Sequence, residues 1–133
     1  MTAIEKYFFT PIYYPRNRWS VVRWWESRRL LFNGVVGAAG LLTLASAYLF
    51  AALPPALATS GPPAAAVLVY AVMANVCYSL GAPADLLLRR MLGERAPAVG
   101  PAMFRYGFAF SLGLTLLPIP VFALSWLMRL LTR

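Results

Sequence analysis

Three long apolar runs, nearly free of charged residues, constrain the fold of this chain more than any other feature. They cover residues 30–53, 64–82 and 101–129. As a helix, the first run would extend for about 36 Å and would therefore cross a hydrocarbon core of about 30 Å. We expect each run to form one transmembrane helix.

The composition argues against a water-soluble fold. Hydrophobic residues make up 61% of the 133 residues and charged residues only 12%, whereas a soluble domain has about 25% charged residues. A small soluble domain buries only part of its chain, so its interior is too small for this much apolar surface. The predicted fold class is an all-α integral membrane protein with three transmembrane helices.

The connections between the runs are predicted from prolines, glycines and charges. Residues 54–63 (PPALATSGPP) carry no charge and form a short external loop. Residues 81–83, which include a glycine and a proline, kink or end the second helix. Asp85 then caps a short continuation that ends at Gly93. Residues 83–100 are therefore predicted to be a cytoplasmic interfacial segment with a short helix that lies at the membrane surface, with Leu86, Leu87 and Met91 toward lipid and Arg89 and Arg90 toward water.

Two prolines, Pro118 and Pro120, interrupt the third run. One interpretation is a kinked crossing that continues to residue 129, before a tail at 130–133. The other is that the crossing ends near Leu117 and the remaining chain lies along the interface. We favour the kinked crossing, because the part before Leu117 only reaches the lower limit for spanning a membrane.

The distribution of Lys and Arg predicts the orientation. Of the 12 such residues, six lie in residues 1–29, none in 54–63, four between positions 89 and 105, and two at positions 129 and 133. Cytoplasmic segments of membrane proteins carry the excess of Lys and Arg. We therefore expect a multi-pass protein of the bacterial inner (cytoplasmic) membrane with a cytoplasmic N-terminus.

The head of the chain, residues 1–29, combines aromatic and basic side chains. Its candidate contact residues are Tyr7, Tyr13, Tyr14, Arg16, Arg18, Trp19, Arg23, Trp24 and Trp25. Such residues form interfacial belts that contact anionic lipids at the cytoplasmic face, and they are also enriched at protein–protein hot spots. Two prolines favour an extended strap over residues 7–15. Lipid contact and partner contact are both open at this point.

Small and polar residues within the runs are candidates for helix packing. They are Gly34, Gly37, Gly40, Asn75, Tyr78, Ser79, Gly107, Ser111 and Thr115. Small residues at four-residue spacing let helix backbones approach closely. An unpaired amide is costly in hydrocarbon, so Asn75 is expected to face another helix. At the edge of the first run, Glu26 is placed to pair with either Arg23 or Arg29.

Several functional classes lack their usual residues. The chain has no histidine and one cysteine, Cys77, and it contains no metal-ligand cluster, phosphate-binding glycine loop or Ser/His/Asp set. We therefore predict no catalytic residue, no metal and no cofactor. Nucleic-acid binding is not expected either, because the arginines flank apolar runs, where membrane anchors belong.

The sequence favours a protein that acts by contact. We expect a non-catalytic accessory or assembly subunit of a larger bacterial membrane complex, an energy-transducing complex being one setting, with other integral membrane subunits as partners. One alternative is a small homo-oligomeric transporter or channel with a polar pore face. A further alternative is a lipid-binding, membrane-shaping protein that acts through the basic head.

Overall fold

A computed structural model describes residues 2–12, 17–56, 62, 64–93 and 99–132. The described chain is helical, without strands, and its helices are α1 (Ala3–Phe9), α2 (Arg18–Ala52), α3 (Ala64–Ser79), α4 (Gly81–Leu92), α5 (Val99–Leu116) and α6 (Pro118–Leu131). Three helical stretches are long and apolar enough to cross a membrane: Arg18–Ala52, Ala64–Leu92 and Val99–Leu131. The prediction of an all-α protein with three candidate membrane spans is confirmed at this level.

Helix α2 begins well before the first apolar run. Asn17 caps its N-terminus, because the Asn17 side chain accepts a hydrogen bond from the backbone N–H of Ser20 at 2.7 Å. The predicted boundary at residue 30 is therefore a change in polarity within one continuous helix. Hydropathy indicates where a helix can enter lipid, and charged residues can precede that point without interrupting the helix.

The N-terminal segment also contains a helix that the sequence did not predict. Thr2 and Glu5 form a reciprocal capping box, which stabilises the first turn of α1. The expected extended strap is therefore wrong for Tyr7, Phe8 and Phe9, which lie in α1. The rest of that predicted strap lies partly outside the described residues.

The second candidate span is interrupted at a single residue. Helix α3 ends at Ser79, α4 begins at Gly81, and the backbone N–H of Ala84 bonds to the carbonyl of Leu80 at 3.0 Å. The predicted end at Gly93 is confirmed, since Gly93 caps α4 with φ of 64°, a conformation that suits glycine. Asp85, however, lies inside α4 and does not cap it. That expectation was wrong because the Asp85 carboxylate accepts hydrogen bonds from Trp25 of α2 and from Arg89 of its own helix.

Two side chains of α4 also point in a direction that the sequence did not predict. Leu86 was expected to face lipid, but it packs against the buried core. Arg89 was expected to face water, but it bonds to the buried Asp85. Leu87 and Met91 are exposed, as an interfacial helix would require, and the interfacial position of α4 stays a prediction.

The third candidate span is interrupted at Leu117. Pro118 is the first residue of α6, where a missing backbone N–H costs no helical hydrogen bond. Helix α6 returns to the far end of α2, because the Trp126 and Phe50 rings lie 6.1 Å apart. Helix α6 therefore packs along α2, and the choice between a kinked crossing and an interfacial segment stays a prediction.

The packed interior lies at one end of the bundle, which we call the aromatic end. It is formed by Ile12, Val21, Trp24, Trp25, Phe32, Val36, Tyr78 and Phe104. At the opposite end, which we call the loop end, α6 contacts residues 50–55. Between the two ends the helices are loosely packed, and α3, all of which the structure describes, buries only Tyr78.

Candidate functional site

Trp25 is the centre of the aromatic end. Its ring makes edge-to-face contacts with Trp24 and Tyr78 at 5.6 Å and with Phe104 at 6.1 Å. Such contacts stabilise aromatic pairs beyond the burial of their area. The hydroxyl of Tyr78 also donates a hydrogen bond to the backbone carbonyl of Trp25 at 2.6 Å. One side chain of α2 thus joins α2 to α3 and α5.

Gly81 makes room for the Trp25 ring. A Cβ atom at position 81 would lie 2.5 Å from Cη2 of Trp25, far inside van der Waals contact. The sequence indicated a helix interruption at this glycine. Its close approach to a tryptophan far away in the sequence gave no local signal.

Asp85 is a fully buried carboxylate at the junction of three helices. It is 0% exposed. It accepts hydrogen bonds from Nε1 of Trp25 at 3.2 Å and from Nε of Arg89 at 2.6 Å. A Cβ at Gly100 would lie 2.6 Å from its Oδ2 atom, so only glycine fits there without a shift. A buried charge is tolerated only when it is paired and hydrogen-bonded, and both conditions hold here.

Arg28 is the second buried charge of this end. Its Nε donates to the carbonyl of Tyr7 at 3.0 Å, and its Nη1 donates to the carbonyl of Trp24 at 3.1 Å. The guanidinium also lies over the Trp24 ring, 3.7 Å from its centroid. The hydroxyl of Tyr7 in turn donates to the carbonyl of Ser27. Arg28 therefore fastens α1 to α2.

Both buried ion sites were missed as sites, although a sequence signal existed for each. Arg28 follows Trp24 by four residues and Arg89 follows Asp85 by four residues. At that spacing two side chains are neighbours on one face of a helix. The spacing alone does not say whether a pair is exposed or buried.

A file of polar groups runs between α2 and α3. Arg29 donates to both carboxylate oxygens of Glu26, at 2.8 and 2.7 Å, and to Oγ of Ser79 at 3.1 Å. Ser79 donates to the carbonyl of Asn75 at 2.8 Å, and the Asn75 amide donates to the carbonyl of Ala71 at 3.1 Å. Of the two partners considered for Glu26, the structure selects Arg29. Among the described residues the Asn75 side chain hydrogen-bonds only to its own helix, and its expected contact with another helix stays a prediction.

A second polar contact joins three helices in the middle of the bundle. The Thr43 hydroxyl donates to the carbonyl of Thr115 at 2.8 Å, which connects α2 to α5. The hydroxyls of Tyr70 and Thr115 are also hydrogen-bonded to each other, which connects α3 to the same point. Thr115 therefore has a packing role. Tyr70 was missed, because one tyrosine in an apolar run carries no pattern.

The predicted contact residues of the head divide into two groups. Trp24 and Trp25 are buried among residues of this chain. Trp19 is 80% exposed, and Arg18 and Arg23 are also exposed. Tyr7 is half-buried against α2. The remaining members of the set, Tyr13, Tyr14 and Arg16, lie outside the described residues.

The glycines predicted to pack helices lie mostly away from neighbours. A Cβ atom added at Gly34, Gly37 or Gly107 would meet no described atom within 4 Å. At Gly40 the nearest such atom is Cγ2 of Thr115, at 3.9 Å. These backbones are therefore accessible to lipid or to other helices.

The loop end is closed by Arg129. Its Nη1 donates to the carbonyl of Pro55 at 2.8 Å and its Nη2 to the carbonyl of Phe50 at 2.6 Å. Nε1 of Trp126 donates to the carbonyl of Pro54 at 3.2 Å. Carbonyls in the last turn of a helix have no partner within it, so α6 satisfies the end of α2.

Within the described residues, no three His, Cys, Asp or Glu side chains come together as a metal site would require. The charges of the aromatic end are held in hydrogen bonds that position helices. Comparisons with protein-family models, curated proteins and solved structures found no match. What the arrangement offers is a rigid aromatic end and a long apolar surface.

Proposed function

We propose that this protein is a non-catalytic accessory or assembly subunit of a larger bacterial membrane complex, and that other integral membrane subunits pack on α3. The observation that carries the proposal is the exposure of α3. Sixteen residues long, it buries only Tyr78, whereas α2 and α5 contact each other along the bundle. A helix that its own chain leaves this open is available to a neighbour.

One face of α3 has the features that membrane helices use to associate. A shallow groove on this face is lined by Leu68, Ala71, Val72, Asn75, Val76, Ser79 and Leu80. Lipid tails are as apolar as these side chains, so association depends on close packing at small residues and on hydrogen bonds. Ala71, Asn75 and Ser79, four residues apart, supply both.

The test compares two valines of similar exposure. Val72, on this face of α3, is 56% exposed, and Val121, on α6, is 53% exposed. Val72→Trp should remove the membrane subunits that co-purify with the protein in mild detergent, since the larger ring fills the shallow groove. Val121→Trp should retain them. Mass spectrometry of the co-purified proteins reads out the result, and purification of the native chain as a lone homo-oligomer would overturn the proposal.

The same proposal places the N-terminus in the cytoplasm of a bacterial cell. The exposed side chains of Arg18, Trp19 and Arg23 would then contact anionic headgroups of the inner leaflet or a partner subunit. In this arrangement the loop at 54–63 faces the outside of the cell.

Cysteine labelling tests the orientation. In a Cys77→Ser background, which removes the only cysteine, a cysteine introduced by Ser60→Cys should react with a membrane-impermeant maleimide on intact spheroplasts. A cysteine introduced by Thr2→Cys should react only after the membrane is permeabilised. The reverse pattern would show that the N-terminus lies outside.

A further inference from the structure

The loosely packed middle of the bundle contains a groove between α2 and α3. Its volume is about 450 Å³, and it is lined by residues of α2 from Phe32 to Ala47, by residues of α3, and by Leu114, Thr115, Pro118 and Phe122. The floor of the groove is the hydrogen-bonded contact of Thr43, Tyr70 and Thr115. Because these hydroxyls are already partnered, the groove presents a mainly apolar surface to an occupant.

The dimensions of the groove decide what fits inside it. From Asn33 to Ala47 along α2 the groove extends for about 21 Å at 1.5 Å per residue. One leaflet of hydrocarbon is about 15 Å thick. A single acyl chain of a bilayer lipid therefore fits within the length of the groove, and the apolar lining of the groove suits it.

Two polar side chains that line the groove make no hydrogen bond to another helix among the described residues, and both lie at the same end of the groove. Asn33 and Asn75 line the end that is nearest to the aromatic end of the bundle. In the described part of the chain the Asn33 side chain has no hydrogen-bond partner, and the Asn75 amide uses only one of its two N–H groups, to donate to the carbonyl of Ala71. The ester groups at the head of an acyl chain accept hydrogen bonds at this depth. The groove thus has a polar and an apolar end, as a lipid does.

Arg29 lies beyond Asn33 along α2, at the depth where the phosphate of a bound lipid would lie. It precedes Asn33 by four residues, or about 6 Å along α2, and the headgroup layer of one leaflet is about 5–7 Å thick. Its Nε and Nη2 atoms are bonded to Glu26 and Ser79, whereas Nη1 has no partner among the described residues. The Tyr78 ring, 5.0 Å from the guanidinium carbon, holds the group in place.

We propose that the α2–α3 groove binds one phospholipid with a zwitterionic headgroup of the phosphatidylethanolamine type. One acyl chain lies in the groove, the ester groups contact Asn33 and Asn75, the phosphate binds Nη1 of Arg29, and the ammonium binds Glu26. The Glu26–Arg29 pair carries no net charge. It therefore matches a headgroup that carries one charge of each sign, and Glu26 repels a headgroup that is only anionic. This groove shares Ala71 and Asn75 with the proposed contact face of α3, whereas Gly37 of α2 lines the lipid groove alone and so tests the two proposals separately.

The experiment uses the full chain in mild detergent with equimolar palmitoyl-oleoyl phosphatidylethanolamine and phosphatidylglycerol, and native mass spectrometry counts the bound lipids. Gly37 lines the groove and Gly34 does not, yet an added Cβ is unobstructed at both positions. Gly37→Leu should therefore reduce retention of phosphatidylethanolamine about tenfold, or about 1.4 kcal/mol. Gly34→Leu, the matched control, should leave retention unchanged. Ala74→Leu fills the same groove from α3 and should repeat the loss.

The headgroup is tested separately. Glu26→Gln leaves Arg29 with an unneutralised positive charge, so the preference should shift from phosphatidylethanolamine towards phosphatidylglycerol. Equal retention in the Gly37→Leu and Gly34→Leu variants would show that the lipid does not occupy the groove and would overturn the proposal. A native chain that prefers phosphatidylglycerol, or a preference that Glu26→Gln leaves unchanged, would overturn the headgroup assignment.

Discussion

Single residues at the aromatic end depend on partners that are distant in the sequence. Trp25 occupies its place because Gly81 has no side chain, and Asp85 approaches α5 because Gly100 has none. In each contact two helices approach closely because the glycine has no side chain, and a methyl group at that position would push them apart. The stability of this end should therefore respond to very small changes at the two glycines.

Gly81→Ala should destabilise the protein by about 1–3 kcal/mol, because the added methyl group overpacks the contact with the rigid Trp25 ring. Thermal unfolding in detergent measures the change. Gly107→Ala is the matched control, since its methyl group would meet no described atom within 4 Å, and it should have little effect. If both variants unfold at the same temperature, the close contact of Gly81 with Trp25 is not present in the protein.

The two adjacent tryptophans show where the sequence stops being informative. An aromatic-basic head indicated amphipathic rings at a membrane edge, and exposed Trp19 agrees with that interpretation. Trp24 and Trp25 have the same composition around them but are buried. The Trp24 ring lies under Arg28, one helical turn further along α2. The Trp25 ring lies against Gly81, the first residue of α4. Local pattern carries no information about such contacts.

Among the described helices, α1 is the shortest, and a few side-chain contacts hold it. It is a short helix, and isolated helices of this length are not stable in water. Arg28 holds it through the carbonyl of Tyr7, and Phe8 packs against Phe104 and Phe108 at ring distances of 5.5 and 5.4 Å. Helix α1 therefore packs on the surface of α2 and α5 and is held there by these contacts.

Arg28→Ala should release α1. A hydrogen bond to a charged group contributes about 1.5–3 kcal/mol, so backbone amides in Ala3–Phe9 should exchange hydrogen for deuterium at least about tenfold faster. Arg28→Lys should recover only part of the protection, because lysine lacks the planar fork that reaches two carbonyls. Arg23→Ala removes an exposed charge of the same helix and should leave exchange in α1 unchanged. Equal exchange in the Arg28→Ala and Arg23→Ala variants would contradict the role of Arg28.

Helix interruptions were more predictable than the paths that follow them. Gly81 and Pro118 marked both breaks, because glycine and proline disturb helical backbone in any environment. Each helix resumes within two residues of the break, at Gly81 and at Pro118. Whether a chain continues along its neighbours depends on tertiary contacts such as Asp85 with Trp25 and Arg129 with Phe50. These contacts have no signature in the local sequence.

At the scale of the whole molecule, the bundle is closed at its two ends and open in the middle. The aromatic end is held by buried rings and paired charges, and the loop end by Arg129 and Trp126. The three candidate spans were predictable because apolar length alone determines whether a helix can cross a bilayer. The open middle was not predictable, since it results from where the two ends place α3.

The two ends should contribute to stability independently. Arg129→Ala removes two charged hydrogen bonds to carbonyls and should destabilise the protein by about 1.5–3 kcal/mol. The Gly81→Ala/Arg129→Ala double variant should lose the sum of the single effects to within about 0.5 kcal/mol, because distant sites without shared partners are additive. Unfolding in detergent measures all three variants. A clear departure from additivity would show that the middle of the bundle transmits strain between the ends.

The buried Asp85 carboxylate has a consequence for how the protein is made. Its environment is assembled from Trp25, then Asp85 and Arg89, then Gly100, and a ribosome delivers these residues in that order. Until α5 has emerged, the carboxylate lacks its cover and the Trp25 ring lacks its contact with Phe104. The aromatic end can therefore close only after α5 has been made. Before that, the first two candidate spans, Arg18–Ala52 and Ala64–Leu92, expose the residues that α5 later covers to the machinery that inserts them.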